Sequence, residues 1–139
     1  MRNTLVKNLE ARFEAYADLI AETNNDDLQQ TLEIEKHKTL AEHLWCIVGA
    51  RESYARAIAA GQWQGFHCSV TDFTQTGFAD KLHDSARGFL RVIRSVEEWT
   101  DERETLLATL AEHEVMHEGQ IIRHVYGMGG RLPSSWTWA

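Results

Sequence analysis

The chain carries a single proline, Pro133, so nothing in residues 1–132 imposes the strongest break on a helix. Proline removes a backbone donor and clashes with the preceding turn, at a cost of about 3 kcal/mol inside a helix. Long helices are therefore permitted almost everywhere before the tail, and the apolar residues follow the helical period. Leu5, Val6, Leu9, Phe13, Tyr16, Leu19 and Ile20 recur at threes and fours, predicting a helix from Thr4 to about Thr23. The run TNNDD ends it, and LQQTLEIEKHK reads as a connector.

Thr39 and Glu42 have the spacing of a capping box, opening a second helix that runs to about Ala60. The Gly- and Thr-rich stretch GQWQGFHCSVTDFTQTG reads as an ordered loop able to cover a pocket. Phe78, Leu82, Ala86, Phe89, Leu90, Ile93, Val96 and Trp99 mark a third amphipathic helix. Asp101 with Glu104 can cap a fourth, carrying Leu106, Leu107, Leu110, His113, His117, Ile121 and Val125 until GMGG stops it. Four helices without a strand predict an all-α fold, an antiparallel four-helix bundle, as one domain over residues 1–139.

Composition narrows the function classes. A formal net charge of -7 without a Lys/Arg cluster gives no basic footprint for nucleic acid. No apolar stretch approaches the roughly 18 residues of a membrane span, and the N-terminus lacks the apolar core of a secretory signal. Cys46 and Cys68 form no CxxC pair and suit a reducing cytoplasm.

The chemistry lies in the histidines. His113 and His117 are four apart, on one face of the fourth helix and beside its apolar stripe, so both rings can reach one ion. His43 lies on the line Leu40, His43, Ile47 of the second helix and can supply a third inward imidazole. Alone, His43 reads as a hydrogen-bonded core residue. The pair shifts the balance, because two buried neutral imidazoles each need a partner and a shared metal supplies it. Three imidazoles suit a divalent ion and leave a position open for water or substrate, with zinc or nickel the first candidates and iron, cobalt or manganese also compatible.

Two competing motifs fail on context. HEVMH fits the HExxH pattern of zinc proteases, but the continuation expected after His117 is missing, with Gln120 and Arg123 at its Gly and His positions. Glu114 with His117 gives one Glu-x-x-His, which a di-iron bundle needs twice. His37, His67 and His83 read as surface or loop residues. His124 can face inward, about two turns from His117 and too far for the same ion.

His43 within AEHLWCIVGARE, the run HEVMHEGQI and the tail GMGGRLPSSW together resemble the DinB/YfiT-like family of four-helix-bundle metalloproteins. The resemblance implies His43, His113 and His117 as ligands of one divalent metal. It further implies a homodimer and a metal-dependent enzyme acting on a small molecule, such as a transferase using a low-molecular-weight thiol. A hydrolase activating water at the same three histidines and a non-catalytic, stress-associated metal-binding protein are the alternatives. Gln120 is a candidate hydrogen-bonding partner of the ligands or a substrate contact. Cys46, one turn from His43, is either a fourth ligand or a small apolar residue. Gly119 suggests close approach of a neighbouring helix or of a ligand, with helix packing the first reading. Trp45, Tyr54, Trp63 and Phe66 line either a pocket mouth or the core. Trp136 and Trp138 require the tail to pack back over the bundle or against a second subunit.

Overall fold

The computed structural model describes all residues from Met1 to Ala139. It is all-helical, with α1 over Arg2–Glu22, α2 over Asn25–Gln29, α3 over Leu40–Ala60, α4 over Gln75–Ser95 and α5 over Asp101–Gly127. The short α2 falls in the run read as a turn. Asn24 accepts a hydrogen bond from the Asp27 amide, Asp26 and Asp27 occupy the positive first turn, and Leu28 is wholly buried. Capping chemistry and one core anchor thus suffice for a helix of one turn.

The capping box of α3 forms as its spacing demands, with Thr39 accepting from the Glu42 amide and Glu42 accepting from the Thr39 amide. For α5 the cap is Thr100 rather than Asp101, since Thr100 accepts from the Arg103 amide and leaves Asp101 and Glu104 in the first turn. Helix α4 begins three residues before Phe78 and ends at Ser95, so Val96 and Trp99 pack on the core from outside the helix.

Cross-helix contacts give the directions. Arg2 meets Glu104 and Arg12 meets Glu118, so α1 and α5 run the same way. Gln75 reaches Ile20 and Phe13 packs on Phe89, so α1 and α4 run oppositely. His43 meets His117 and Arg103 reaches Ile58, so α3 and α5 run oppositely. The antiparallel expectation therefore holds for α1 with α4 and for α3 with α5, while α3 and α4 run together.

The reason is the segment between Gly61 and Thr74, which returns along the outside of α3 instead of turning tightly. Ser53 bonds both backbone groups of His67, Glu52 accepts from Ser69, and the Cys68 thiol donates to the Trp45 carbonyl. Gly49 lets this strap lie flat on the helix, because a Cβ there would collide with Phe66 and Cys68. The strap covers α3 and not a pocket. Its exposed aromatic residues pair with those of α3, Phe66 with Trp45 and Trp63 with Tyr54, and of the four only Tyr54 packs against the core.

Two apolar clusters fill the interior. One gathers Tyr16, Leu44, Ile47, Phe78 and Ile121, and the other Phe13, Ile58, Phe89, Leu107 and Leu110. Each fully buried side chain of this kind contributes about 1.5–3 kcal/mol. The tail closes over α1, with Trp136 buried against Tyr16 and its indole N–H donating to the Ala15 carbonyl at 2.9 Å. No helix is long and apolar enough to cross a membrane.

Candidate metal centre

His43 is the fourth residue of α3, and its amide makes the first helical hydrogen bond to the Thr39 carbonyl. The cap thereby decides which way its ring faces, and it is 3% exposed. His113 and His117 stand one turn apart on α5, ring centroids 4.5 Å from each other. Antiparallel packing of α3 on α5 brings His43 to His117, with the two Nδ1 atoms 3.0 Å apart, while the compact donor group is Cys46, His113 and His117 and does not include His43. Cys46, one turn beyond His43, places Sγ 3.5 Å from His113 Nε2.

Each α5 histidine has one nitrogen engaged and one stranded. His113 Nδ1 and His117 Nε2 are buried with no hydrogen-bond partner. Such orphans cost about 1–3 kcal/mol apiece unless something supplies a bond. The donor atoms of Cys46, His113 and His117 all lie within 4.8 Å of one another, so this group could hold a metal ion. A metal would give the stranded His113 Nδ1 and His117 Nε2 the partner they lack, while His43 Nδ1 and His117 Nδ1 already face each other at hydrogen-bond distance. The residues present fit a metal.

Electrostatics favour the ligating form. Burial first, then the Lys38 ammonium, lowers the pKa of His43 to about 4. Burial first, with help from His113, His43 and Lys38, lowers that of His117 to about 3. Burial also lowers His113, against an opposing pull from Glu114, and raises the Cys46 thiol, against an opposing pull from Lys38. Neutral imidazoles keep their lone pairs free for coordination.

The row of imidazoles continues. His37, expected at the surface, sets Nε2 3.1 Å from Nδ1 of the buried His124, and its ring centroid is 6.4 Å from that of His43. His124 does face inward, yet its partner is His37. The connector before α3 is what sequence periodicity missed here, since it has none.

Beside the histidines opens a cavity of about 1020 Å³, walled by the connector, α3 and α5. Gln120 lines it, while the imidazoles bond one another and Cys46 instead of Gln120. Gly119 lines it too, and the expected neighbouring helix is absent, since a Cβ at Gly119 would meet no atom within 4 Å. Its bare backbone widens the cavity.

Glu114, the acid of HEVMH, faces away from this cavity. Its two oxygens accept from Arg51 Nε at 2.7 Å and Nη2 at 2.9 Å, with both side chains wholly buried. Tyr16 donates to the Glu114 carbonyl, Arg51 donates to the Leu82 carbonyl, and the guanidinium stacks 4.3 Å over Phe13. A carboxylate held this way is no general base, so the geometry agrees with setting the protease motif aside. Arg51 and Glu114 could have been found in the sequence. Arg51 follows Ile47 by four and Glu114 follows Leu110 by four, each at a core position of its helix.

No family model matches the chain, and no curated protein matches it at a significant level. Among solved structures, a DinB-like protein from Bacillus cereus ATCC 10987 is similar over 94% of each chain, with a TM-score of 0.73 at 19% identity. The fold is DinB-like. Within that DinB-like fold, the row of histidines on α3 and α5 rests on this chain's own residues, and at 19% identity the likeness speaks for the architecture.

Proposed function

We propose that the chain is a metal-dependent enzyme that holds one divalent ion through His43, His113 and His117 and acts on a small molecule, with a low-molecular-weight thiol as co-substrate. The observation that carries this reading is the pair of buried, unpartnered nitrogens, His113 Nδ1 and His117 Nε2, beside an open cavity. Zinc or nickel suits neutral imidazoles with a cysteine sulfur nearby. A bound ion would supply Lewis acidity, lowering the pKa of a coordinated thiol or water.

The chain's own residues do the remainder. His43, His113 and His117 stay neutral and present lone pairs at neutral pH. Arg51 and Glu114 lock α3 to α5 one residue from His113, holding the ligands in register. Gly119 leaves room for substrate, and Gln120 is placed to meet it. A reducing cytoplasm would supply the thiol, and a homodimer is the assembly we propose.

One observation favours a second reading. Cys46 lies close enough to His113 to be a fourth ligand, and four protein ligands would close the site into a structural one. Metal content by elemental analysis, with thiol consumption measured beside it, separates the two. For an enzyme, Cys46→Ser keeps metal and thiol-dependent turnover while His113→Ala loses both. Loss of metal from Cys46→Ser identifies the closed site, and turnover without thiol identifies a hydrolase. Unchanged metal content in His113→Ala refutes the assignment altogether.

A further inference from the structure

The chain is acidic, with 21 Asp and Glu against 14 Lys and Arg, yet the wall of the histidine cavity includes no carboxylate. Three cations line it: Lys36 and Lys38 on the connector, and Arg123 six residues beyond His117 on α5. None of the three is in an ion pair, although Arg2, Arg12, Arg51 and Arg94 elsewhere all are. Lys36 also has a backbone φ of 62°, a left-handed conformation that a lysine adopts at a cost and that glycine or asparagine would take more readily. The connector thus turns at a residue whose backbone gains nothing from being lysine.

We propose that this cavity selects a small organic anion, bearing a carboxylate or phosphate that Lys36, Lys38 and Arg123 receive while its reactive end reaches the histidines. The proposal rests on the metal reading above only for the location of the reacting end. The cations would hold the anion whether or not metal is bound. Clefts lined by one sign of charge concentrate ligands of the opposite sign, and here they do so against the sign of the whole molecule. A volume of about 1020 Å³ accommodates a small metabolite together with a thiol co-substrate.

Two anionic probes, succinate and inorganic phosphate, test this against dimethyl succinate, a neutral analogue of the first. Binding is followed through the backbone amide resonances of Gly119 and Gly127, both on the cavity wall. Measurements are made on chelator-treated protein and again after zinc addition.

We expect succinate or phosphate to shift these resonances in both states and the diester to leave them unmoved. The charge-removing variant Lys36→Asn/Lys38→Gln/Arg123→Gln should bind at least about tenfold more weakly. Asparagine accepts the left-handed backbone, and all three positions are exposed, so the fold is retained. Raising ionic strength from about 0.05 M to about 0.5 M should weaken binding to the native chain as well.

Whether succinate or phosphate binds more tightly assigns the carboxylate or the phosphate. Diester binding equal to succinate, no response to either anion, or a triple variant that binds like the native chain would each overturn the proposal. Anion binding by a protein that takes up neither zinc nor nickel when each is supplied would leave this inference standing and defeat the metal reading. Zinc uptake without anion preference would do the reverse.

Discussion

The Arg51 guanidinium grips the Glu114 carboxylate through two hydrogen bonds of 2.7 and 2.9 Å, with neither side chain exposed to solvent. Removing one partner strands a buried charge, so Arg51→Ala or Glu114→Ala should cost about 3–5 kcal/mol. The paired replacement Arg51→Met/Glu114→Leu should recover most of that loss. Urea unfolding of the three variants checks this, and a double variant as unstable as the singles would show that the pair is not a unit.

Stability of the metal-free protein should fall with acid because of the histidines. In the folded chain burial holds His43 at about 4 and His117 at about 3, whereas an unfolded imidazole titrates near 6.5. Between those values the unfolded state binds more protons, so stability is complete above about pH 6.5 and drains as pH falls towards the folded values. His43→Gln should therefore show a shallower decline in thermal midpoint between about pH 7 and pH 5 than the native chain. Parallel curves would remove His43 from the account.

Gly119 and Gly77 should respond to alanine with opposite signs. A Cβ at Gly119 meets nothing, so Gly119→Ala gains about 1 kcal/mol of helix propensity and raises the thermal midpoint by roughly 3–5 °C. A Cβ at Gly77 would collide with the Asp72 backbone carbonyl, and Gly77→Ala should lower the midpoint. Calorimetry of both variants decides it.

The tail should contribute through one tryptophan more than the other. Trp136 is 3% exposed and hydrogen-bonded, so Trp136→Ala should cost about 3–5 kcal/mol. Trp138 is 46% exposed and lies over Arg12 at 4.2 Å, a contact worth about 0.5–1 kcal/mol. Equal losses in chemical denaturation would contradict this division.

Helix content and the pairing of His113 with His117 were legible because both depend on spacing along one chain: apolar residues at threes and fours, a capping box at Thr39, and two imidazoles one turn apart. The resemblance resting on His43 and the α5 pair also pointed to the right fold. What spacing could not decide was which surfaces meet. The strap after α3 runs back along that helix because Gly49 admits Phe66 and Cys68, and this makes α3 and α4 parallel. The same packing brings Arg51 to Glu114, Cys46 to His113, and His37 with three unpaired cations to one cavity. The sequence by itself determined the four long helices and the apolar faces they bury, since local hydrogen bonding and side-chain period act within a few turns. The tertiary structure alone decided the partners, because buried charges and imidazoles acquire their meaning only from atoms distant in the chain.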